Sequence, residues 1–404
     1  MDKNDKIIKQ TRFVYIWARL LSVPFWGMIY LLSVVLYKNM QISPLQITLI
    51  ITLKPLSALF APYWSQWIYK RPDRIISNLV WANLLRYLPF LFVPLINSAW
   101  IIIAAFALYM VFYRGVTPTW MELIKRNLPS PEREKLVAHG STIDYCGTAI
   151  LPLALGVVLD THPHSWVWLF PLTAAIGLLS TLFLYHLPLP ESIATDEPPP
   201  KTIWHPWKNA WNLVKKGTSF SKFQMGFMLG GGGLMIIQPT LPMFFVDTLE
   251  LSYTKMLIAL TVCKGLGFAA AMPIWVNLFR KYSIFLISGA VTILAALFPL
   301  FLISSQLHIL FLYLGYAFYG IMQAGSDLSW NMSGPIFAKE EDSTYFSGTN
   351  ILTVGLRGCI IPPLGALLYS LTTASTVMAL GSLLCILAAT HLITYSFRKE
   401  VAVD

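Results

Sequence analysis

The sequence predicts an all-α membrane protein of about twelve transmembrane helices in two pseudo-symmetric six-helix bundles, and three observations carry that prediction. Of the 404 residues, 56% are hydrophobic and 12% charged, about half the charged share of an ordinary soluble domain. Apolar runs of the roughly 20 residues needed to cross a bilayer recur along the whole chain. Landmarks of the first half also return about 210 residues later.

Taken in order, apolar runs place the first six spans near residues 13–37, 44–69, 75–96, 99–124, 138–159 and 165–187. A second six fall near 223–246, 252–279, 283–304, 307–332, 345–370 and 374–397. The chain therefore divides into an N-terminal bundle (1–187), a linker (188–222) and a C-terminal bundle (223–404). The linker holds Pro198, Pro199 and Pro200, which favour an extended backbone. Beyond them Trp204, Trp207, Trp211 and Val214 recur at helical spacing beside Lys208, Lys215 and Lys216. That pattern fits a helix lying on an anionic membrane face or an ordinary amphipathic linker helix.

Basic residues fix the expected orientation, because short cytoplasmic loops collect Lys and Arg. With the N-terminus inside, inner segments hold Lys70, Arg71, Arg74, Lys125, Arg126, Lys208, Arg280 and Lys281 among others, whereas outer loops hold only Lys38 and Lys255. Both termini are expected in the cytoplasm, in a bacterial-type inner membrane, and the linker with them. The net charge of +10 is then a topology signal and gives no argument for nucleic acid. The first apolar run is too long for a signal-peptide core, so no cleaved signal is expected. Cys146, Cys263, Cys359 and Cys385 lie inside apolar runs as buried thiols. His162-Pro163-His164 has no further Cys or His nearby, so no metal site and no cofactor are expected.

Six cations fall inside spans: Arg19, Lys54, Arg86, Arg114, Lys264 and Arg357. The acids there are Asp144, Asp327 and, near an inner end, Glu122. An ion in low dielectric must be balanced by a counter-ion, by carbonyls or by a bound ligand of opposite sign. Polar and aromatic side chains also form stripes at helical spacing. Span 10 carries Tyr316, Tyr319, Gln323, Asp327 and Trp330; span 4 carries Tyr109, Tyr113, Thr117 and Trp120; span 1 carries Arg19, Ser22, Trp26, Tyr30 and Ser33. Gly226 and Gly230 to Gly233 crowd span 7, where close helix packing or bending would follow. Pro362-Pro363 should kink span 11 just after Arg357.

The repeat matches Lys54 with Lys264, Ala107 with Ala317, Tyr109 with Tyr319, Gly115 with Gly325 and Trp120 with Trp330. Pro62 and Trp64 match Pro273 and Trp275 one position later, so a one-residue insertion separates the registers. Parallel six-span halves joined by a cytoplasmic linker resemble the major facilitator superfamily. The loop Ser65 to Arg74 keeps the basic character of that family's Gly-x-x-x-Asp-Arg-x-Gly-Arg-Lys motif, with Ser65 and Tyr69 at its Gly and Asp. The adjacent Gly-Pro of the antiporter signature is missing from span 5, where Gly147 and Pro152 stand apart.

The resemblance implies that spans 1, 4, 7 and 10 line a central cavity and that transport proceeds by alternating access. The expected substrate-binding residues are Arg19, Trp26, Tyr30, Lys54, Tyr113, Arg114, Lys264, Gln323, Asp327 and Arg357. Asp327 and Asp144 are the candidates for proton coupling. Arg86 is assigned to a structural pair or to the headgroups. A direct Asp144–Lys264 pair is not expected, since residue counting separates them in depth by about 10 Å. The excess of cations points to a secondary transporter of a small anionic or zwitterionic solute, such as an organic phosphate or carboxylate, acting as a monomer. Efflux of amphipathic cations by proton antiport, with Asp327 as the charged partner, is the alternative. A membrane-embedded enzyme is the remote one, as HExxH and GxSxG are absent.

Overall fold

The computed structural model describes residues 3–60, 64, 74–188, 204–216, 218–338 and 343–401. The fold is helical throughout these residues. Helices α1 (Lys3–Met40), α2 (Pro44–Ala58), α3 (Ile75–Leu95), α4 (Ala99–Asn127), α5 (Ser130–Thr161) and α6 (Trp166–Leu184) come first. The linker contributes α7 (His205–Lys215). Then follow α8 (Ser219–Thr248), α9 (Tyr253–Phe279), α10 (Ile284–Ser304), α11 (Leu310–Ala338), α12 (Ser343–Leu371) and α13 (Ala374–Val401). Each expected span overlaps one of these helices. Among the described residues, nine helices are long and apolar enough to cross a membrane.

Several helices outrun their apolar segments. Helix α1 starts at Lys3 rather than near residue 13, and α5 at Ser130 rather than near 138. The extensions are polar and tie to each other: Arg12 Nη1 donates to Glu132 Oε2 at 3.1 Å. A hydropathy window sees only the apolar part of such a helix.

Two compact units are present, one of residues 1–42 and 57–201, the other of 43–56 and 202–404. Segment 43–56, the body of α2, groups with the second unit and not with its sequence neighbours. In the first unit α1 packs on α5 and α6, and α3 on α4. Its core is aromatic: Phe25, Tyr87, Phe90, Tyr109 and Phe170 are all fully buried, with Phe25 edge-on to Phe90 at 4.8 Å between centroids. In the second unit α10 packs on α11 and α13, α8 on α13, and α9 on α11. Large apolar side chains such as Trp168, Leu172, Leu179 and Leu182 are exposed along one side of α6, as a face against lipid requires.

The internal repeat holds in atomic detail. Trp64 closes over Gly115 and Trp275 over Gly325, so tightly that a Cβ on either glycine would overlap the indole. Gln41 after α1 and Glu250 after α8 both adopt positive φ, at 51° and 47°. Each is followed two residues later by a serine N-cap: Ser43 Oγ accepts from the Gln46 amide and Ser252 Oγ from the Lys255 amide. From Ser43 to Ser252 the register is 209, whereas from Lys54 to Lys264 it is 210. A π turn at Ile258–Cys263, absent from α2, holds the extra residue immediately before Lys264.

Candidate functional site

The second unit builds a polar pocket around Arg357. This residue sits on α12 and is 8% exposed. Its Nη1 donates to the carbonyl oxygen of Phe227 on α8 at 2.7 Å and to that of Met228 at 3.4 Å. The guanidinium carbon lies 5.7 Å from the Phe227 ring centroid. Gly231 makes the approach possible, because a Cβ there would overlap the guanidinium. Interior helix carbonyls keep a second lone pair, so α8 can receive the arginine without losing its own ladder.

No carboxylate pairs with Arg357 among the described residues. Carbonyl dipoles do not neutralise a full charge, and a buried guanidinium without a counter-ion is costly by several kcal/mol. Beside it lies a cavity of about 210 Å³ lined by Arg357, Gln238, Gln323, Tyr319, Ser288, Thr292, Ser326 and Ser329, among others. Two buried polar atoms of the lining residues, Arg357 Nε and Gln323 Oε1, have no hydrogen-bond partner. A donor-rich pocket with an uncompensated positive charge has the chemistry to hold an oxyanion.

A second cation adjoins it. The π turn ends at Cys263 and Lys264 opens the following α-helical stretch. Glycines on both sides let α9 and α11 approach at backbone distance: Gly320 lies against the Lys264 carbonyl and Gly267 against that of Ala317. This close approach sets Lys264 Nζ 5.3 Å from the Tyr319 ring centroid, a cation–π contact. Tyr319 also lines the Arg357 cavity, so one ring touches both cationic neighbourhoods. Lys54 on α2 lies close enough to repel Lys264, and the adjacent Pro55 packs on Gly358, next to Arg357. Lys54, Lys264 and Arg357 thus belong to one unit and to neighbouring turns of α2, α9 and α12.

Further along α11, Asp327 is exposed and accepts a hydrogen bond from Asn331 Nδ2 at 3.2 Å. It forms no ion pair among the described residues. Trp330 lies 5.8 Å from Phe227, while Tyr316 is buried against Phe298 and Phe245 as packing.

The first unit treats its cations differently. Arg19 Nη1 donates to Asp144 Oδ2 at 2.5 Å, and its guanidinium lies 5.1 Å from the Tyr15 ring centroid. Arg19 was expected to help hold an anion; its charge is already met by Asp144, the second proton-coupling candidate. Arg86, 6% exposed, donates to the Tyr87 hydroxyl at 2.9 Å and stacks over Tyr87 and Tyr109. Arg19, Arg86, Asn83, Ser22, Tyr113 and Trp120 help line a cavity of about 30 Å³, room for about one water. Trp26 meets Tyr113 edge-on at 4.7 Å, Tyr30 stands one turn further along α1, and Arg114 lies 6.0 Å from the Tyr113 ring centroid.

The ten expected site residues therefore separate into two groups. Lys54, Lys264, Gln323, Asp327 and Arg357 fall in the second unit, and Arg19, Trp26, Tyr30, Tyr113 and Arg114 in the first. Sequence reasoning passed over Gln238 and Arg86 as site residues and named Tyr319 only as part of a stripe. Arg86, assigned to a structural pair or to the headgroups, is held by the adjacent Tyr87. The loop motif Ser65 to Asp73 and the side chains of Thr117 and Glu122 lie outside the described residues. His162 Nδ1 lies 3.0 Å from Thr161 Oγ1, and no group of three metal-ligating side chains occurs among the described residues.

Solved structures with a similar fold include transporters. A point mutant of the nucleoside transporter NupG superposes with a TM-score of 0.71 at 15% identity, covering 95% of this chain and 99% of that one. A POT family transporter in complex with 5-aminolevulinic acid gives 0.73 at 13% identity, covering 97% and 96%. A POT peptide transporter mutant in complex with sulfate gives 0.75 at 12% identity, covering 98% and 99%. No curated protein matches the chain in sequence. The sequence pattern of the Major Facilitator Superfamily matches residues 16–356. With that match over most of its length and that fold throughout, the chain belongs to the Major Facilitator Superfamily: it is an integral membrane protein and a secondary transporter, not an enzyme.

Proposed function

We propose that the transporter moves a small anionic or zwitterionic solute, an organic phosphate or carboxylate, by alternating access. The observation that supports it is Arg357, a buried charge beside a polar cavity, bonded to helix carbonyls and facing no carboxylate among the described residues. In this reading Arg357 and Gln323 grip the acidic group, and Lys264 and Lys54 raise its local concentration. The complexes of similar folds with 5-aminolevulinic acid and with sulfate agree with such chemistry. Asp327 carries the proton if transport is proton-coupled, with Asp144 as the second candidate. The basic loops put both termini in the cytoplasm of a bacterial-type inner membrane, and the working unit is a monomer.

Proteoliposome uptake of organic phosphates and carboxylates, measured with and without a pH gradient, tests this. Saturable movement of an acidic solute that is lost in Arg357→Gln is the expected result. A second reading, efflux of amphipathic cations, draws on Asp327, exposed and bonded to Asn331. Movement of such cations that survives Arg357→Gln and fails in Asp327→Asn would replace the first reading with the second.

A further inference from the structure

Helix α7 has two faces of different character. Ala210 and Leu213 are each 5% exposed, and Leu213 packs with Phe220 of α8 and Phe346 of α12. Ser221 Oγ adds a hydrogen bond to the Leu213 carbonyl oxygen at 3.2 Å. This side fastens the helix to the second unit. On the other side Trp204, Lys208, Trp211 and Lys215 follow one another at steps of four, three and four, one stripe of a helix. All four are exposed, Trp204 at 71% and Trp211 at 67%. Two exposed indoles, on a helix whose apolar need is already met on its other face, call for another explanation.

We propose that this stripe is a binding surface for anionic lipid, set in the headgroup layer of the membrane the chain spans. Three observations identify the occupant. Indole is the side chain that favours the boundary between water and hydrocarbon, polar at one edge and apolar elsewhere. The charge is of one sign: residues 204–216 include Lys208, Lys215 and Lys216 and no Asp or Glu. The place is also right, because α8 begins at Ser219. Three residues separate it from Lys215, the last residue of α7, so α7 ends within roughly 14 Å of a membrane-spanning helix. A helix so tethered cannot leave the membrane surface, and its exposed stripe meets headgroups. The surface is independent of the solute site, and it reaches the same machinery: α7 grips α8 and α12, the two helices that Arg357 joins.

The full-length protein reconstituted in phosphatidylcholine vesicles, with or without phosphatidylglycerol, provides the test. The tryptophan emission of the wild type minus that of Trp204→Phe/Trp211→Phe isolates the two exposed indoles. Quenching of this difference by lipids brominated near the headgroup should rise when phosphatidylglycerol is added and fall in high salt. Each lysine near an anionic leaflet favours surface binding about fivefold, so Lys208→Glu/Lys215→Glu should return the quenching to its level in phosphatidylcholine alone. Loss of the phosphatidylglycerol response in Lys208→Glu/Lys215→Glu with solute transport retained would still support the lipid surface, because the two sites are separate. Quenching by aqueous acrylamide with no response to brominated lipid would overturn it and leave the stripe to a soluble partner. Equal quenching in both lipid mixtures, unchanged by the charge reversal, would overturn the preference for anionic headgroups.

Discussion

Trp64 closes on Gly115 in the first repeat and Trp275 on Gly325 in the second, yet the cations near these matched contacts meet different fates. In the first unit Arg19 faces Asp144 across a 2.5 Å ion pair, and Arg86 is seated among tyrosines around a cavity of about 30 Å³. In the second unit Arg357 donates to helix carbonyls and lies by the Phe227 ring, Lys264 meets a tyrosine ring, and the cavity is about 210 Å³. A duplicated frame thus holds two electrostatic solutions. One half pairs Arg19 with an acid, seats Arg86 on tyrosine and leaves little room beside them. The other keeps its charge available and keeps room beside it.

The contrast breaks most severely at Arg357. Arg357→Gln should weaken binding of an acidic solute by about 2–5 kcal/mol, the cost of removing one partner of a buried charge-assisted contact. Because the mutation also removes an uncompensated buried charge, thermal unfolding should stay level or rise. Arg357→Lys should recover only part of the affinity, since an ammonium cannot present the planar fork of guanidinium.

The shared frame is sharpened by matched substitutions. Gly115→Ala and Gly325→Ala each push a Cβ into an indole and should each destabilise by about 1–3 kcal/mol, read as a fall in unfolding temperature. Costs of similar size are expected, since each Cβ would overlap the matched indole, with Val291 adding to the crowding at Gly325; a large cost in one unit and none in the other would show that the repeat holds in sequence alone.

A smaller effect is expected at Lys264. Its ammonium contributes through space and through Tyr319, so Lys264→Ala should raise the KM for an acidic solute by about tenfold, or roughly 1.4 kcal/mol. The smallest effect belongs to the first unit. Arg19 and Asp144 are 22% and 33% exposed at the side chain, and solvent screening holds their coupling to about 1 kcal/mol. Arg19→Gln alone should lower stability by that order, and Arg19→Gln/Asp144→Asn should restore most of it in a double-mutant cycle.

Much of the frame was legible in the chain because its determinants are local. Apolar runs, loop lysines and the spacing of Tyr319, Gln323 and Asp327 all follow from helical geometry over a few turns. The register change visible in the sequence falls after Lys264, between the Lys54–Lys264 and Pro62–Pro273 matches; the π turn before Lys264 is a separate one-residue change, and hydropathy did not reveal it because it does not distinguish i+4 from i+5 bonding. Partner choice was the least legible part. Arg19 and Asp144 lie 125 positions apart, and nothing in their local sequence says that their helices turn these residues toward each other. The seat of Arg357 depends on Gly231 removing one methyl's volume on another helix, which the glycine run hinted at without naming its guest. The placement of α2 with the second unit was equally hidden, since the cut falls inside the first repeat.

The most direct test of a retained, uncompensated charge in the second unit is a thermal-shift titration with small organic phosphates and carboxylates. Wild type, Arg357→Gln and the control Arg19→Gln/Asp144→Asn would be run side by side. The expected result is a concentration-dependent stabilisation by an acidic solute in wild type and control that disappears in Arg357→Gln. Stabilisation of equal size in Arg357→Gln, or its loss in the control alone, would contradict it.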